Sequence, residues 1–506
     1  MSYDAIVIGS GPNGLAAAIT LARAGQSVLL REAAPTVGGG LRSAELTLPG
    51  FTHDICSTVH AMAGISPFFR NLLQPADTAS PLPQRPRSLL RGVASTARTP
   101  SHGASSVGVP GTLAAVRVEF VKPPIAFAHP LDDGSAAAVY QSLDATVDSL
   151  GRDGPPYRAL IEPLLNRADE LFSDILGPPR WPHHPLLLAR FGHRAIRSAQ
   201  SLAMARFVGE PARALFAGAA AHCMLPLDWS ATAAFGLVLT LAAHVTGWPV
   251  VRGGSQRLAD ALADYFRALG GTIETSAPVD SLDSLPPSRA ILCDVTPRQF
   301  LSIGANQIPG GFRRRLAKFR YGPGVFKMDW ALSAPIPWSA AACRQAGTVH
   351  LGGTLAEIAA AEAAPWRGEH AGRPYVLLVQ PTLMDPTRAP PGKHIAWGYC
   401  HVPNGSTIDM TERIESQIER FAPGFRDCIL ARHTFRTDEL ERHNPNLIGG
   451  DINGGAANLA QLFTRPIAQW NPYATPLKNV YLCSSSTPPG GGVHGMCGYF
   501  AAMSSL

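Results

Sequence analysis

The sequence has few of the residues that disulfide and metal chemistry require. Its 506 residues include eight cysteines, and no two of these have the CxxC spacing. The motifs HExxH, HxH and GxSxG do not occur, and no carboxylate cluster suggests a metal. We therefore expect free thiols in a reducing compartment, no metal site and no serine hydrolase activity.

An excess of charge and long apolar runs are also missing. The net charge of +6, from 43 basic and 37 acidic residues, is mild, and no zinc finger or RNP-type motif is present. We expect no nucleic-acid partner. The longest apolar run, about 231–245, is short for a transmembrane helix, and the N-terminus has no cationic leader. The sequence therefore predicts a cytoplasmic protein of two or three structural units.

One segment differs in composition from the rest of the chain. Residues 78–118 are rich in Pro, Ser, Gly and Ala and carry five arginines without a single Asp or Glu. This pattern indicates a basic, irregular insertion. It is either a solvated loop or a lid that touches a membrane surface, since two leucines stand among the arginines.

The clearest motif lies at the N-terminus. An apolar strand at 3–8 leads into Gly9-Ser10-Gly11-Pro12-Asn13-Gly14, a small-residue helix, and a second strand that ends at Glu32. In such a unit the glycines allow a tight turn, close approach of a pyrophosphate, and close helix–strand packing. The acid accepts hydrogen bonds from the adenosine ribose. We assign to a dinucleotide site the residues Gly9, Gly11, Pro12, Asn13, Gly14, Glu32 and Ala33.

The next residues distinguish FAD from NAD. After Glu32, the run Gly38-Gly39-Gly40-Leu41-Arg42 resembles the ExxxxxGG signature of glutathione-reductase-like flavoproteins. The resemblance implies that Gly39, Gly40 and Leu41 pass close to FAD, and that Arg42 helps to neutralise its phosphates. No second GxGxxG in a βαβ setting is present, so we expect one dinucleotide, and that dinucleotide is FAD.

Two distant regions support this assignment. Residues 253–279 resemble the returning segment of the phytoene desaturase and monoamine oxidase group, which implies that the backbone of Val279 touches the adenine. The tail 480–499 runs from a strand through glycines into a helix, so its backbone N–H groups can face the flavin. The tail residues that we assign to this contact are Ser485, Gly492, Val493 and His494.

The three regions together resemble phytoene-desaturase-like flavoproteins of the amine oxidase superfamily. Within them the chain is most similar to the branch named after pyridine-nucleotide disulfide oxidoreductases, over most of its length except 78–118. The phrases YGPGVFKMDWAL and PGGGVHGMCGY carry the resemblance. The run Ser484–Pro489 departs from it, because relatives often have a His before the glycines where this chain has none.

The catalytic assignments leave alternatives open. Lys327 resembles a lysine that holds a water near the flavin in amine oxidases, or it pairs with Asp329 on the same strand face. His494 either carries a proton near neutral pH or only begins a helix. Asp451 and Asn453 line the pocket or make turns. Two alternatives also remain for Trp397, Tyr399 and His401. These side chains either form an aromatic wall of the pocket or pack in the core.

We therefore predict an α/β fold with a discontinuous, glutathione-reductase-like FAD domain (1–77, 246–305 and 475–506). A mixed α+β substrate domain (119–245 and 306–474) completes it, with 136–245 mostly helical. Substrate is expected where the two domains meet.

The predicted reaction is hydride transfer from a small, mostly apolar substrate to flavin N5, which leaves a C=C bond. The alternatives are a C–N oxidase that uses O2, a flavin-dependent isomerase and a non-catalytic FAD-binding partner protein. The electron acceptor is O2, a quinone or a protein, and the oligomeric state is open.

Overall fold

The computed structural model describes residues 2–73 and 116–506. The predicted basic insertion lies outside these residues except for 116–118, so its loop and lid interpretations stay predictions. The described strands are β1 (Tyr3–Ile8), β2 (Val28–Arg31), β3 (Ser43–Glu45), β4 (Thr52–Asp54), β5 (Phe120–Val121), β6 (Ile125–Pro130), β7 (Ala136–Tyr140), β8 (Val250–Val251), β9 (Thr272–Glu274), β10 (Ser288–Cys293), β11 (Gly324–Leu332), β12 (Ala346–Leu351), β13 (Val376–Val379), β14 (His394–Val402), β15 (Ile429–Phe435) and β16 (Val480–Leu482).

Helices surround these strands, and short 3₁₀ turns such as Gly39–Leu41 connect several of them. The described helices are α1 (Pro12–Arg23), α2 (Pro67–Leu73), α3 (Leu143–Ser149), α4 (Gly154–Leu165), α5 (Ala168–Ile175), α6 (Pro185–Ala195), α7 (Ala199–Arg206), α8 (Glu210–Ala221), α9 (Thr232–Thr246), α10 (Gln256–Ala268), α11 (Pro297–Ile303), α12 (Gly310–Leu316), α13 (Leu355–Ala363), α14 (Thr411–Phe421), α15 (Thr437–His443), α16 (Leu459–Thr464) and α17 (Met496–Ser505).

The first sheet is a five-stranded parallel sheet in the order β16-β10-β1-β2-β9. Its strands come from within the three sequence segments predicted for the nucleotide domain, whose boundaries stay a prediction. Helices α1 and α17 pack tightly on one another over this sheet, because a Cβ at Gly498 would lie 1.8 Å from the Asn13 carbonyl oxygen. The N-terminal turn and the C-terminal helix are thus held together.

The second sheet has seven strands in the order β15-β11-β14-β13-β12-β6-β7. It is mixed, since β12 and β6 pair in parallel while the other pairs are antiparallel. All nine residues of β11 are buried. Helix α14 packs against one face of this sheet. The other face packs against α8 and α9 at β6 and β7, and against the hairpin β3–β4 at β11.

The structure changes one prediction about this region and agrees with another. Residues 136–140 form strand β7 instead of a helix, because these small apolar residues pair with β6 at the sheet edge. The apolar run near 231–245 forms α9, a 15-residue helix with ten buried residues, as predicted. Within residues 2–73 and 116–506, no helix is long and apolar enough to cross a membrane.

A buried ion pair connects three segments that lie between the two large sheets. The Arg388 guanidinium, 1% exposed, lies 2.9 Å from the Asp54 carboxylate and donates to the Thr52 carbonyl. The same carboxylate accepts from the Ser43 hydroxyl and from the Ser255 N–H at the start of α10. Burial acts to raise the pKa of Asp54, but the Arg388 guanidinium and the hydrogen bonds from Ser43 and Ser255 together lower it. These contacts connect the 381–388 turn with hairpin β3–β4 and α10.

We expect Arg388→Ala to lower the free energy of unfolding by about 3–5 kcal/mol, because it leaves a buried carboxylate without its partner. The matched control is Arg367→Ala, since Arg367 pairs with Glu369 on the exposed surface and should cost about 0–1 kcal/mol. Urea-induced unfolding of the purified proteins measures both. Equal losses in the two variants would contradict the role of the buried pair.

Candidate functional site

A cavity of about 1070 Å³ lies where the C-terminal ends of the parallel strands β1, β2, β10 and β16 meet one face of the second sheet. In open parallel sheets, this edge is where nucleotides bind. One wall, the nucleotide wall, is built from the turn after β1, the residues after β2, the loop 277–280 and the start of α11. The opposite wall, which we call the inner wall, consists of His222, Leu239, Trp248, Thr348, Leu377, Val379, Trp397 and Tyr399.

The glycine turn is packed so closely that side chains would not fit. A Cβ at Gly14 would lie 2.0 Å from the Gly9 carbonyl oxygen, and Gly9 has a positive φ of 94°. A Cβ at Gly39 would lie 2.9 Å from the Gly11 α-carbon. Beside the turn, the Oδ1 atom of Asn13 is buried and has no hydrogen-bond partner among the described residues. The bare backbone and this free acceptor form a cradle open to a ligand at the start of α1.

Glu32 lies in this cradle with both carboxylate oxygens engaged. Its Oε2 accepts from the Ser10 N–H at 2.9 Å and from the Ser10 hydroxyl at 2.5 Å. Its Oε1 accepts from the Ala34 N–H at 2.8 Å and from the Arg42 guanidinium at 2.9 Å. A carboxylate has about four acceptor positions, so a ribose hydroxyl that binds Glu32 would compete with these four donors.

Arg42 therefore has a different contact from the one predicted. Its side chain lines the cavity, but the guanidinium pairs with Glu32 and also donates to the Thr36 carbonyl at 3.3 Å. In this arrangement it neutralises the Glu32 carboxylate and holds it in place. The positive charge of Arg42, which was expected to face the phosphates, is thus paired with the Glu32 carboxylate.

Asp294 is a cavity residue that the sequence interpretation missed. It follows β10, and its Oδ2 accepts a hydrogen bond of 2.8 Å from the Gly14 N–H. A Cβ at Gly11 would lie 2.7 Å from the same oxygen. Burial raises the pKa of Asp294 to about 7, with the Gly14 N–H opposing the shift and the nearby Glu32 adding to it. The signal in the sequence was an acidic residue directly after a buried strand that neighbours β1.

The other predicted cofactor residues divide into two groups. Gly14 and Leu41 do not line the cavity: Gly14 lies behind the turn, and Leu41 is fully buried in the core. The predicted residues that line it are Gly9, Gly11, Pro12, Asn13, Glu32, Ala33, Gly39, Gly40, Arg42, Val279, Ser485, Gly492 and Val493. Residues from positions 9 to 493 thus meet around one space.

Lys327 does not line the cavity. Its ammonium lies 2.6 and 2.5 Å from the two carboxylate oxygens of Asp329, as the same-face interpretation of β11 requires. The rings of Trp397 and Phe435 lie 5.2 and 5.9 Å from the ammonium. The ion pair with the aromatic cover leaves Lys327 as a buried, paired cation, so the structure favours the pairing alternative over contact with the flavin.

For His494 the structure favours the structural alternative, a residue at the start of a helix, over a proton carrier near neutral pH. The ring is 1% exposed and lies outside the cavity lining, and burial lowers its pKa to about 4. One ring nitrogen contacts the Gly490 carbonyl at 3.1 Å, and the other accepts from the Met496 N–H at 3.0 Å. His494 therefore braces the glycine turn against the start of α17.

The remaining candidates also separate. Trp397 and Tyr399 line the cavity, whereas His401 pairs with Glu362 at 2.7 Å behind them. Asp451 accepts N–H groups of Gly322 and of its own turn, which is the turn alternative, while Asn453 lines the cavity.

Sequence patterns missed most of the inner wall. Its members lie far apart in the chain, at the end of α8, on α9, beside β8 and on strands β12 and β13. A faint signal was the alternation of larger side chains along the strands, which predicts a shared face but not a cavity.

The parallel sheet, its glycine turn and the cavity at the strand ends define a Rossmann-like nucleotide-binding protein. The family described as an NAD(P)-binding Rossmann-like domain matches residues 7–75. The pyridine nucleotide-disulfide oxidoreductase domain-containing protein 2 of Mus musculus is 28% identical over 99% of this chain and 92% of its own length. The Rattus norvegicus protein of that name is 27% identical over the same shares.

Solved structures share the whole fold. An oxidoreductase from Methanosarcina mazei matches with a TM-score of 0.62 and 15% identity over 100% of both chains. Wild-type putrescine oxidase bound to putrescine matches with a TM-score of 0.59 and 16% identity, over 100% of this chain and 98% of its own. Cyclohexylamine oxidase from Brevibacterium oxydans matches with a TM-score of 0.54 and 15% identity, over 99% and 97%.

These matches confirm the predicted resemblance and fold class, a Rossmann-like core with a separate mixed-sheet domain. The family match indicates a Rossmann-like nucleotide-binding unit, and these solved structures share the fold, which agrees with the predicted FAD cofactor and oxidoreductase class. The roles of the individual site residues stay predictions.

Asp294→Asn should change how stability depends on pH. Because the folded pKa of about 7 exceeds the ordinary Asp pKa of 3.8, the unfolded chain releases this proton first as the pH rises, and wild-type stability falls between about pH 4 and pH 7. Asn keeps an acceptor for the Gly14 N–H but does not ionise. The melting temperature of the variant minus that of wild type should therefore increase between about pH 4 and pH 7 and stay constant at higher pH.

Thermal melts between pH 4.5 and 8.5 measure this difference. The control is Asp280→Asn, an exposed carboxylate on the same cavity, which should track wild type. Parallel curves for Asp294→Asn and wild type over the whole range would contradict the shifted carboxyl.

Proposed function

We propose that this protein is an FAD-dependent oxidoreductase that removes a hydride from a small, mostly apolar substrate and leaves a C=C bond. The observation that carries the proposal is the single cavity that joins the dinucleotide cradle to the aromatic and aliphatic inner wall. When bound, FAD supplies the hydride-accepting centre of such a reaction. The protein's own groups bind, orient and exclude water.

The residues of the cradle support FAD as the cofactor. The start of α1 presents its positive dipole end and the bare turn at Gly11 to a pyrophosphate. Glu32 and Val279 flank the part of the cavity that would hold the adenosine. Gly492 and Val493 border the cavity in the tail, where their backbone would meet the flavin ring.

The inner wall favours an apolar substrate. Leu239, Leu377 and Val379 bring aliphatic side chains to it, and two tryptophans and a tyrosine add aromatic surface. None of its eight members is acidic, so a protonated amine would lie there without a counter-ion. Burial raises the pKa of Tyr399, so its hydroxyl stays protonated and can donate to substrate.

A C–N oxidase is the second candidate. Putrescine oxidase and cyclohexylamine oxidase share the fold, and their names point to amine substrates. The lysine that would support this chemistry is, however, paired with Asp329 away from the cavity lining. Because no second dinucleotide motif is present, O2, a quinone or a protein stays the expected electron acceptor.

Flavin loading and reduction test the proposal. The purified protein should show flavin absorption bands, which bleach under anaerobic conditions with cyclic or aryl-substituted hydrocarbon substrates and not with primary amines. Bleaching by amines alone would favour the C–N oxidase. A protein that neither contains nor takes up FAD would overturn both candidates.

Glu32→Ala should weaken FAD binding by about 1–3 kcal/mol, the cost of losing a charged hydrogen-bonding group. Glu369→Ala, which removes an exposed carboxylate, is the matched control and should leave the dissociation constant unchanged. Titration of the apoprotein with FAD measures both constants. Equal affinities of Glu32→Ala and wild type would remove Glu32 from the site.

A further inference from the structure

His222 of the inner wall meets the ring of a second histidine, His350, edge to face, and His350 lies outside the cavity lining. The Nε2 atoms of His222 and His350 lie 2.9 Å apart. Burial lowers the pKa of His222 to about 3 and the pKa of His350 well below its usual value, with His401 adding to the first shift and His222 to the second. Both rings are therefore neutral at physiological pH, and one must donate the proton that the other accepts.

The surroundings of His350 decide which ring donates. Its Nδ1 is buried and has no partner among residues 2–73 and 116–506. It lies against Gly218, where an added Cβ would be 2.9 Å away. If His222 donated, His350 would carry its proton on Nδ1 and bury an N–H without an acceptor. If His350 donates, Nδ1 is only a bare lone pair.

The second arrangement costs less. Buried backbone N–H groups without an acceptor are rarer in proteins than carbonyls without a donor, and we apply the same order to the ring nitrogens. His350 then donates from Nε2, and neutral His222 must carry its own proton on Nδ1. In the described part of the chain, Nδ1 of His222 has no hydrogen-bond partner, and His222 is partly exposed to the cavity.

The chain holds His222 in place at some cost. Trp248, whose ring meets that of His222 edge-on at 5.5 Å, has a left-handed φ of 52°. Met224, two residues after His222, has a φ of 58°. Such backbone angles are unfavourable for large side chains and cluster at functional sites. Asn453 also donates to the His222 carbonyl at 3.4 Å.

From this geometry we propose that His222 presents an N–H donor at Nδ1 to the inner cavity. The matching substrate is an apolar molecule that carries a hydrogen-bond acceptor oxygen, such as a carbonyl or ether, instead of an ammonium group. This inference deepens the proposed function, on which it rests, by giving the substrate an imidazole N–H donor in a mostly apolar space. His222 is a substrate-orienting residue in this account.

An isosteric ligand pair tests the donor. Acetophenone and α-methylstyrene have almost the same shape, and only the first has an acceptor oxygen. Wild type should bind acetophenone about three- to tenfold more tightly, the usual effect of one hydrogen bond. The ratio should fall to near one in His222→Phe and persist in His222→Gln, which keeps a donor. His193→Phe, on the exposed face of α6, should keep the wild-type ratio.

Cationic 1-phenylethylamine tests the opposite tautomer of His222, in which Nδ1 would accept a hydrogen bond. This amine should bind no more tightly than α-methylstyrene. A preference for the amine, equal affinity for the isosteric pair, or a ratio that survives in His222→Phe would each overturn the proposal. In ¹⁵N-histidine-labelled protein, the signal that disappears in His222→Gln should have the Nδ1–H tautomer pattern. An Nε2–H pattern would equally reject it.

The readouts separate this proposal from the proposed function. Ligand binding is followed by the fluorescence of the cavity tryptophans with and without FAD, while flavin loading is read from absorbance in every variant. If the protein binds no FAD but still prefers acetophenone to α-methylstyrene, the proposed function is contradicted and the His222 donor is supported. If the protein binds FAD but has equal affinities for the two ligands, the donor is contradicted and the FAD assignment is supported.

Discussion

The close approach of backbone segments around α1 is the constraint on which the site depends. At the start of the helix, Gly14 packs on the Gly9 carbonyl, and Gly498 of the last helix packs on the Asn13 carbonyl. Neither contact would accommodate a Cβ. Because both are made by backbone, the helix start is fixed at the C-terminal edge of the first sheet. The chain's first and last segments then share one cavity rim.

Three charged pairs lie in or near the cavity, and their placement leaves a gradient of polarity. Glu32 is held by Arg42, Asp54 by Arg388 and Lys327 by Asp329. The first pair lies in the cradle, where a nucleotide needs polar partners. The Lys327–Asp329 pair is covered by Trp397, so the inner wall presents rings instead of ions. A substrate there meets apolar surface and a few neutral polar groups.

Sequence patterns predicted the parts of this arrangement that are local. The strand, glycine turn, helix and acid up to Glu32 form one short unit, so spacing alone located them. The period of two along β11 also indicated the Lys327–Asp329 pair. Strand β7 was missed because its small residues are strand-like only in the presence of β6.

The inner wall and the state of His494 were beyond the sequence for another reason. His222 and Trp248 come from a helix end and a left-handed backbone position, and only tertiary packing brings them to the second sheet. The pKa of His494 depends on burial, which a glycine-rich tail does not reveal. Glycine density marked where a turn would approach a ligand but not which side chains would be covered.

The central claim is that one cavity holds the nucleotide at its cradle and the substrate at its inner wall. A crystal structure of the protein with FAD tests it most directly. We expect the adenosine beside Glu32 and Val279, and the flavin ring between the tail at Gly492–Val493 and the wall at Tyr399. FAD bound outside this cavity, or with its adenosine against the inner wall, would contradict the account.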